Sequence, residues 1–188
     1  MKKEGGKSQK TMPKLYINNK IVKPIKKDSS FLYLGRNFNF KMDNEKHKEF
    51  LLNTLNTLMD EIDALPLHPR NKIKLYQLYV LSKISWHLTV ADLSDTWVKQ
   101  NLDPILTKNL RSWLEIPIGG TIKIVQLTKN KYGLGVSLVS TKFAQCQVSF
   151  RKSLRSSNNV DIRRIYKETS KAENVKYDCY KNTCDAIK

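Results

Sequence analysis

The stretch HPRNKIKLYQLYVLSKISWHL, His68 to Leu88, decides how this chain folds. Pro69 lacks an N–H, a loss without cost in a first helical turn, so a helix is expected to open there. Ile73, Leu75, Leu78, Val80, Leu81, Ile84 and Leu88 then occupy most of its circumference. A helix apolar nearly all round must be enclosed by others, which makes this segment the expected centre of a helical bundle.

Its partners flank it in sequence. At about 100° per residue, Leu51, Leu52, Leu55, Leu58, Met59, Ile62 and Leu65 share one arc, while Asn53, Asn56, Thr57, Asp60 and Glu61 fall off it. Asp43 or Asn44 suits the N-cap of this first helix, and Pro66 ends it. Downstream, TWVKQNLDPILTKNLRSWLEI puts Val98, Leu102, Ile105, Leu106 and Trp113 on one face. Pro104 must kink that helix or restart it with Asp103 as a fresh cap, and Pro117 closes it.

Ahead of the bundle the pattern is different. KLYINNKIVKPI holds Asn18-Asn19 between two short β-prone runs, a hairpin turn because asparagine tolerates positive φ. SSFLYLGRNFNF repeats the arrangement, with Gly35 as the residue that takes the unusual backbone angles most easily. The fold class is therefore mainly α with a small antiparallel β lobe. Residues 1–10 read as a flexible basic N-terminus, 11–41 as the hairpin lobe and 42–116 as the three-helix unit. Residues 117–139 read as a glycine-containing extended connector, 140–172 as a helical extension and 173–188 as a disordered polar tail.

Of the 188 residues, 40% are apolar, enough for a real core. Lysine and arginine number 34 against 17 acidic residues, a net charge of +17. Such an excess predicts attraction to a polyanion, most simply a nucleic-acid backbone. The chain has no apolar run long enough to span a bilayer, and MKKEGGKSQK lacks the apolar core of a secretory signal, so an intracellular protein with no membrane partner is expected. Cys146, Cys179 and Cys184 are odd in number and fit reduced thiols. His47, His68 and His87 lie far from the Cys179/Cys184 pair, so no zinc set forms and no metal ligand is assigned.

Catalytic signatures are missing. A Gly-rich phosphate loop, a Gly-x-Ser-x-Gly elbow and a His/Glu metal pair at helical spacing are all absent. Asp92 and Asp95 in ADLSD read as a loop and a helix cap, while Asp60, Glu61 and Asp63 read as a solvated helix face. No residue is assigned a catalytic role. The positive feature is a stripe on the second helix: counted from Lys72, Tyr76, Tyr79, Lys83 and Trp86 all fall within about 40°. Ammonium groups on such a stripe can neutralise phosphates while aromatic faces pack on sugars or bases. Alternatively the aromatics are core and the lysines snorkel past them; on helix statistics alone this is the stronger reading. Lys108 and Arg111 on the third helix are open to the same two interpretations.

The order of the FLYLG hairpin, the amphipathic helix, HPRNKIKLY, LSKISWHL, NLDPILTKNLRSWLEIP and GLGV resembles the C-terminal part of the reverse transcriptase of non-LTR (LINE-type) retrotransposons, over about residues 7–140. On that resemblance, Lys10-Thr11 matches the end of the segment after the catalytic hairpin, Tyr33-Leu34-Gly35 the primer grip and Leu51 to Leu114 the thumb. It implies a fragment that holds an RNA/DNA template-primer duplex through its backbone, with Gly35 giving clearance and Arg36, Arg70, Lys72 and Lys83 facing phosphate. The family's catalytic aspartates belong to a palm segment expected before residue 1, and no Asp-Asp occurs here. The two Mg ions of that palm have no ligands in this chain, so it is expected to be inactive alone, with the palm segment as a further partner. Two other readings stay open: a basic helical module that binds an acidic protein, and a helix-turn-helix protein reading DNA with Arg70, Asn71 and Lys72.

Overall fold

The computed structural model describes residues 2–4, 7–9, 15–22, 29–39, 43–127 and 133–185. The chain divides into two compact units, residues 1–43 and 44–188. It is mainly helical with small two-stranded antiparallel sheets, the α+β class read from the sequence.

The first unit contains hairpins. Strand β1 (Lys2–Glu4) pairs with β2 (Lys7–Gln9), within the segment expected to be flexible. Strand β3 (Leu15–Ile17) pairs with β4 (Lys20–Val22), and β5 (Phe31–Tyr33) with β6 (Arg36–Phe38). The registers Ile17↔Lys20 and Tyr33↔Arg36 leave two-residue loops, Asn18-Asn19 and Leu34-Gly35. All four loop residues have positive φ (49°, 59°, 48° and 78°), the signature of type I′ turns whose twist matches that of the strands. Leu34 therefore adopts a left-handed conformation that its Cβ disfavours. Lys10 and Thr11 lie outside the described residues.

The second unit is built on helix α1 (Glu45–Ala64) and a long helix made of α2 (Pro69–Leu75), a π-helical turn (Tyr76–Val80) and α3 (Leu81–Val90). Asn44 caps α1 by position only; its side-chain amide instead donates to the Asp92 carbonyl at 3.0 Å, tying the start of α1 to the loop after α3. Pro69 opens α2 as expected, and the His68 Nδ1 accepts the Arg70 N–H. Helices α4 (Asp95–Asn101) and α5 (Asp103–Trp113) divide the expected third helix, so Pro104 restarts it. Leu51, Leu55 and Met59 from α1 pack with Tyr76, Val80, Ile84 and Leu88, and with Val98, Leu102 and Leu106, all fully buried.

Four expectations need correction. Leu78, counted as core, is 75% exposed, because at about 100° per residue it lies on the side of the helix opposite the buried Ile73 and Tyr76. Asp103 does not cap α5; its carboxylate is turned to another helix. The 117–139 connector is not merely extended: it holds α6 (Lys123–Gln126), and the Val136 N–H donates to the Val125 carbonyl, with both valines in the core. Gly133 is required there, since a Cβ would lie 1.9 Å from the Leu127 carbonyl oxygen. Finally, residues 173–185 of the tail lie within a helix.

That C-terminal part forms α7 (Val139–Arg155), α8 (Val160–Glu168) and α9 (Ser170–Asp185). Val139 and Phe143 join the main core. The Phe143 and Tyr180 rings meet edge to face at 5.4 Å, which lays α9 on α7. Tyr177, Tyr180 and Cys184 share helical spacing, the periodic signal that the polar composition of the tail conceals.

Candidate nucleic-acid interface

The expected Lys72-to-Trp86 stripe runs through the π turn. The Leu81 N–H donates to the Tyr76 carbonyl, five residues back, so one extra residue is accommodated in that turn. At about 100° per residue, the insertion rotates everything after it by about that angle relative to Lys72. The five residues therefore split into two groups on different faces.

Lys72 and Tyr76 face inward. The Lys72 ammonium donates to the Asp63 carbonyl at 2.7 Å, lies 3.5 Å from the Asp63 carboxylate and sits 5.9 Å from the centre of the Trp113 ring. The Trp113 indole N–H donates to the same carboxylate at 2.6 Å. Lys72 is thus a strut between α1, α2 and α5. Tyr76 is fully buried, and its hydroxyl donates to the Ser137 carbonyl at 2.9 Å. Burial, and secondarily the negative charge of Asp103, pushes its pKa well up, so it remains a neutral donor.

Tyr79, Lys83 and Trp86 face outward at i, i+4 and i+7. Tyr79 is 49% and Trp86 52% exposed, and the Lys83 ammonium donates to the Tyr79 hydroxyl at 3.2 Å while lying 5.3 Å from its ring centre. A cation over an aromatic ring is attracted to its electron-rich face. From Pro69 to Val90 the chain has Arg70, Lys72, Lys74 and Lys83 and no acidic residue, whereas α1 has Glu45, Glu49, Asp60, Glu61 and Asp63. The groove between α1 and α3, about 300 Å³, has Lys83 on one wall and Glu61 on the other. Its floor therefore does not suit an anion; the outer edge of α3 does.

The remaining site residues lie elsewhere. Arg70 and Lys108 are exposed. Arg111 is committed to its own loop, with Nη1 donating to the Pro117 carbonyl at 2.6 Å and Nη2 to that of Gly120 at 3.0 Å. In the hairpin unit, Tyr33 and Leu34 are exposed, and Gly35 allows the I′ turn. The Arg36 guanidinium lies 5.0 Å from the Phe38 ring centre, on a face that also holds Phe31 and Tyr33. Arginine stacked among aromatics at a tight turn forms a compact cationic tip.

Sequence reasoning missed two polar groups that organise the helical unit. The Gln147 amide donates to the Leu88 carbonyl at 2.6 Å, satisfying an acceptor in the last turn of α3. Arg151, also buried, donates to the Gln147 carbonyl and side-chain oxygen, and its guanidinium lies 5.4 Å from the Tyr180 ring centre. Their i, i+4 spacing on α7 was legible, but not what they would face.

The cysteines are free thiols, and among the described residues no group of three or more His, Cys, Asp or Glu could hold a metal. No described helix is long and apolar enough to cross a membrane. In comparisons with known proteins, no family model matches the chain, and no curated protein matches it significantly.

Proposed function

We propose that this protein holds nucleic acid through backbone contacts, as the primer-grip and thumb portion of a non-LTR type RNA-directed DNA polymerase, with no catalytic residue of its own. The observation that carries the reading is the outward Tyr79–Lys83–Trp86 edge on a helix free of acidic residues, in a chain of net charge +17. Lys83 supplies charge for phosphate, and the two aromatics supply flat faces for sugar or base. The Arg36 tip is a second phosphate contact in this scheme. Such contacts position a duplex without reading its sequence. The chemistry of phosphoryl transfer, and the Mg ions that support it, would come from a separate palm segment.

Fluorescence anisotropy with a labelled RNA–DNA hybrid tests the reading. Binding should be sequence-independent, steeply salt-dependent and weakened by Tyr79→Ala and Trp86→Ala. Affinity for hybrid at low salt no greater than for a neutral polymer of equal length would overturn it. Tight binding to an acidic protein that duplex fails to displace would favour the protein-interaction module instead.

A further inference from the structure

We propose that the cationic face of α8, with the last turn of α7, is a second nucleic-acid contact that holds phosphate backbone independently of the Tyr79–Lys83–Trp86 edge. It rests on the proposed function only in taking nucleic acid as the ligand. From Val139 to Lys167 the chain has seven lysines and arginines and one acidic residue, Asp161. Lys152 and Arg155 on α7, and Arg163, Arg164 and Lys167 on α8, are exposed.

The way these charges are arranged separates them from an ordinary solvated face. Elsewhere on the helices a cation stands three or four residues from an acid: the Lys48 ammonium lies 2.7 Å from the Glu45 carboxylate, and that of Lys99 2.5 Å from Asp95. Here only Arg164 has such a partner, Asp161 at 3.4 Å. Lys152, Arg155, Arg163 and Lys167 have no acidic partner among the described residues. Instead Lys152 and Arg155 stand at i, i+3 and Arg163 and Lys167 at i, i+4, spacings at which like charges repel. Arg163 also lies in the first turn of α8, where the helix dipole disfavours a cation. Unfavourable in the chain alone, this arrangement becomes favourable against a row of anions. Arg163 and Lys167 are about 6 Å apart along the helix axis, enough to span about two phosphates of one strand.

The rest of α8 selects among polyanions. At about 100° per residue, Arg163, Arg164 and Lys167 share one arc, and Ile162, Ile165 and Tyr166 share the opposite one. The apolar arc is turned to α7, with Tyr166 buried, so it is not the face a bilayer would take up. The cationic arc has Val160 as its one apolar side chain and no aromatic ring, which leaves a protein partner without an anchor. A phosphate backbone needs none.

Anisotropy of the full chain with a labelled RNA–DNA hybrid, at several salt concentrations, tests the assignment. Arg163→Gln/Lys167→Gln, at exposed positions, should flatten the log-log salt dependence by about two units, in addition to the unit lost in Lys83→Gln. Circular dichroism should show the variant folded. Lys48→Gln/Lys99→Gln removes the same net charge from acid-paired positions and should leave the slope unchanged. An unchanged slope in the α8 variant, or an equal loss in this control, would overturn the second contact alone, provided Lys83→Gln still flattens the slope. A parent that does not bind hybrid overturns both this contact and the proposed function. Slope lost in the α8 variant, with Tyr79→Ala and Trp86→Ala binding like the parent, supports this contact and removes the edge. Binding to vesicles of one-quarter phosphatidylserine that disappears in the α8 variant, while hybrid binding is unchanged, would assign the face to a membrane instead.

Discussion

The carboxylate of Asp103 accepts the backbone N–H of Ser140 at 2.9 Å, joining residues 37 apart in sequence. Leu138, the N-cap of α7, has no side chain able to satisfy the first N–H groups of that helix, and Asp103 does so from the start of α5. Burial nevertheless raises the Asp103 pKa, against the lowering effect of hydrogen bonds from Ser140 and Val139. Asp103→Ala should cost about 1–3 kcal/mol by leaving buried donors unpaired. The pH dependence has a definite sign. Because the folded pKa lies above the ordinary 3.8, the contribution is full below that value and is lost as pH rises through the folded pKa. Urea titrations should show the stability advantage of the parent over Asp103→Asn to be greatest in acid and smaller towards neutrality.

Lys72 and Lys83 should respond differently to the same change. Lys83→Gln is expected to flatten the log-log salt dependence of duplex binding by about one unit. Lys72→Gln should leave that slope unchanged and lower stability by about 1 kcal/mol, because Lys72 is bonded to Asp63. The double variant should therefore lose about one unit of slope, whereas a continuous stripe would lose about two. Anisotropy at several salt concentrations, with urea melts alongside, separates the outcomes.

His87 packs 5.3 Å from both the His47 and Phe50 rings, and burial lowers its pKa below 6.5. Protonation is thus easier in the unfolded chain. Stability should be fully present above about 6.5 and fall as pH drops through that value towards the folded pKa. His87→Phe keeps an aromatic ring and removes the titration. Its thermal midpoint should decline less than that of the parent between about pH 7 and 5.

Leu34 carries a φ of 48° in a turn whose other central residue is Gly35. Leu34→Asn places at this position a residue that tolerates left-handed backbone, giving Asn-Gly, the preferred type I′ pair. A peptide of residues 29–39 should show a higher hairpin population with asparagine, read from cross-strand nuclear Overhauser effects. Equal populations would mean that leucine bears no strain there.

Much of the architecture was legible in local patterns. The Pro69 start, the α1 stripe from Leu51 to Ile62 and the Asn18-Asn19 turn each follow from residues within a few positions of one another. The tail helix was not legible by composition, because Tyr177 and Tyr180 have a single packed neighbourhood against α7 within an otherwise polar segment. The Lys72-to-Trp86 stripe was legible only as far as the helix kept its period. One π turn, invisible in a count at fixed angle, sent Lys72 and Tyr76 inward and kept Tyr79, Lys83 and Trp86 outside.

By itself, then, the sequence determined the helical class, the positions of the two hairpin turns and the basic charge, since these depend on propensity, spacing and composition. Tertiary structure alone decided which cations are free to act. Lys72 and Arg111 are held by carbonyls of neighbouring segments, and Lys83 stays at the surface. It also decided that Asp103 serves α7 and that Gln147 serves α3, for a physical reason: buried polar groups take whatever partner packing brings to them, and that partner can lie anywhere in the chain.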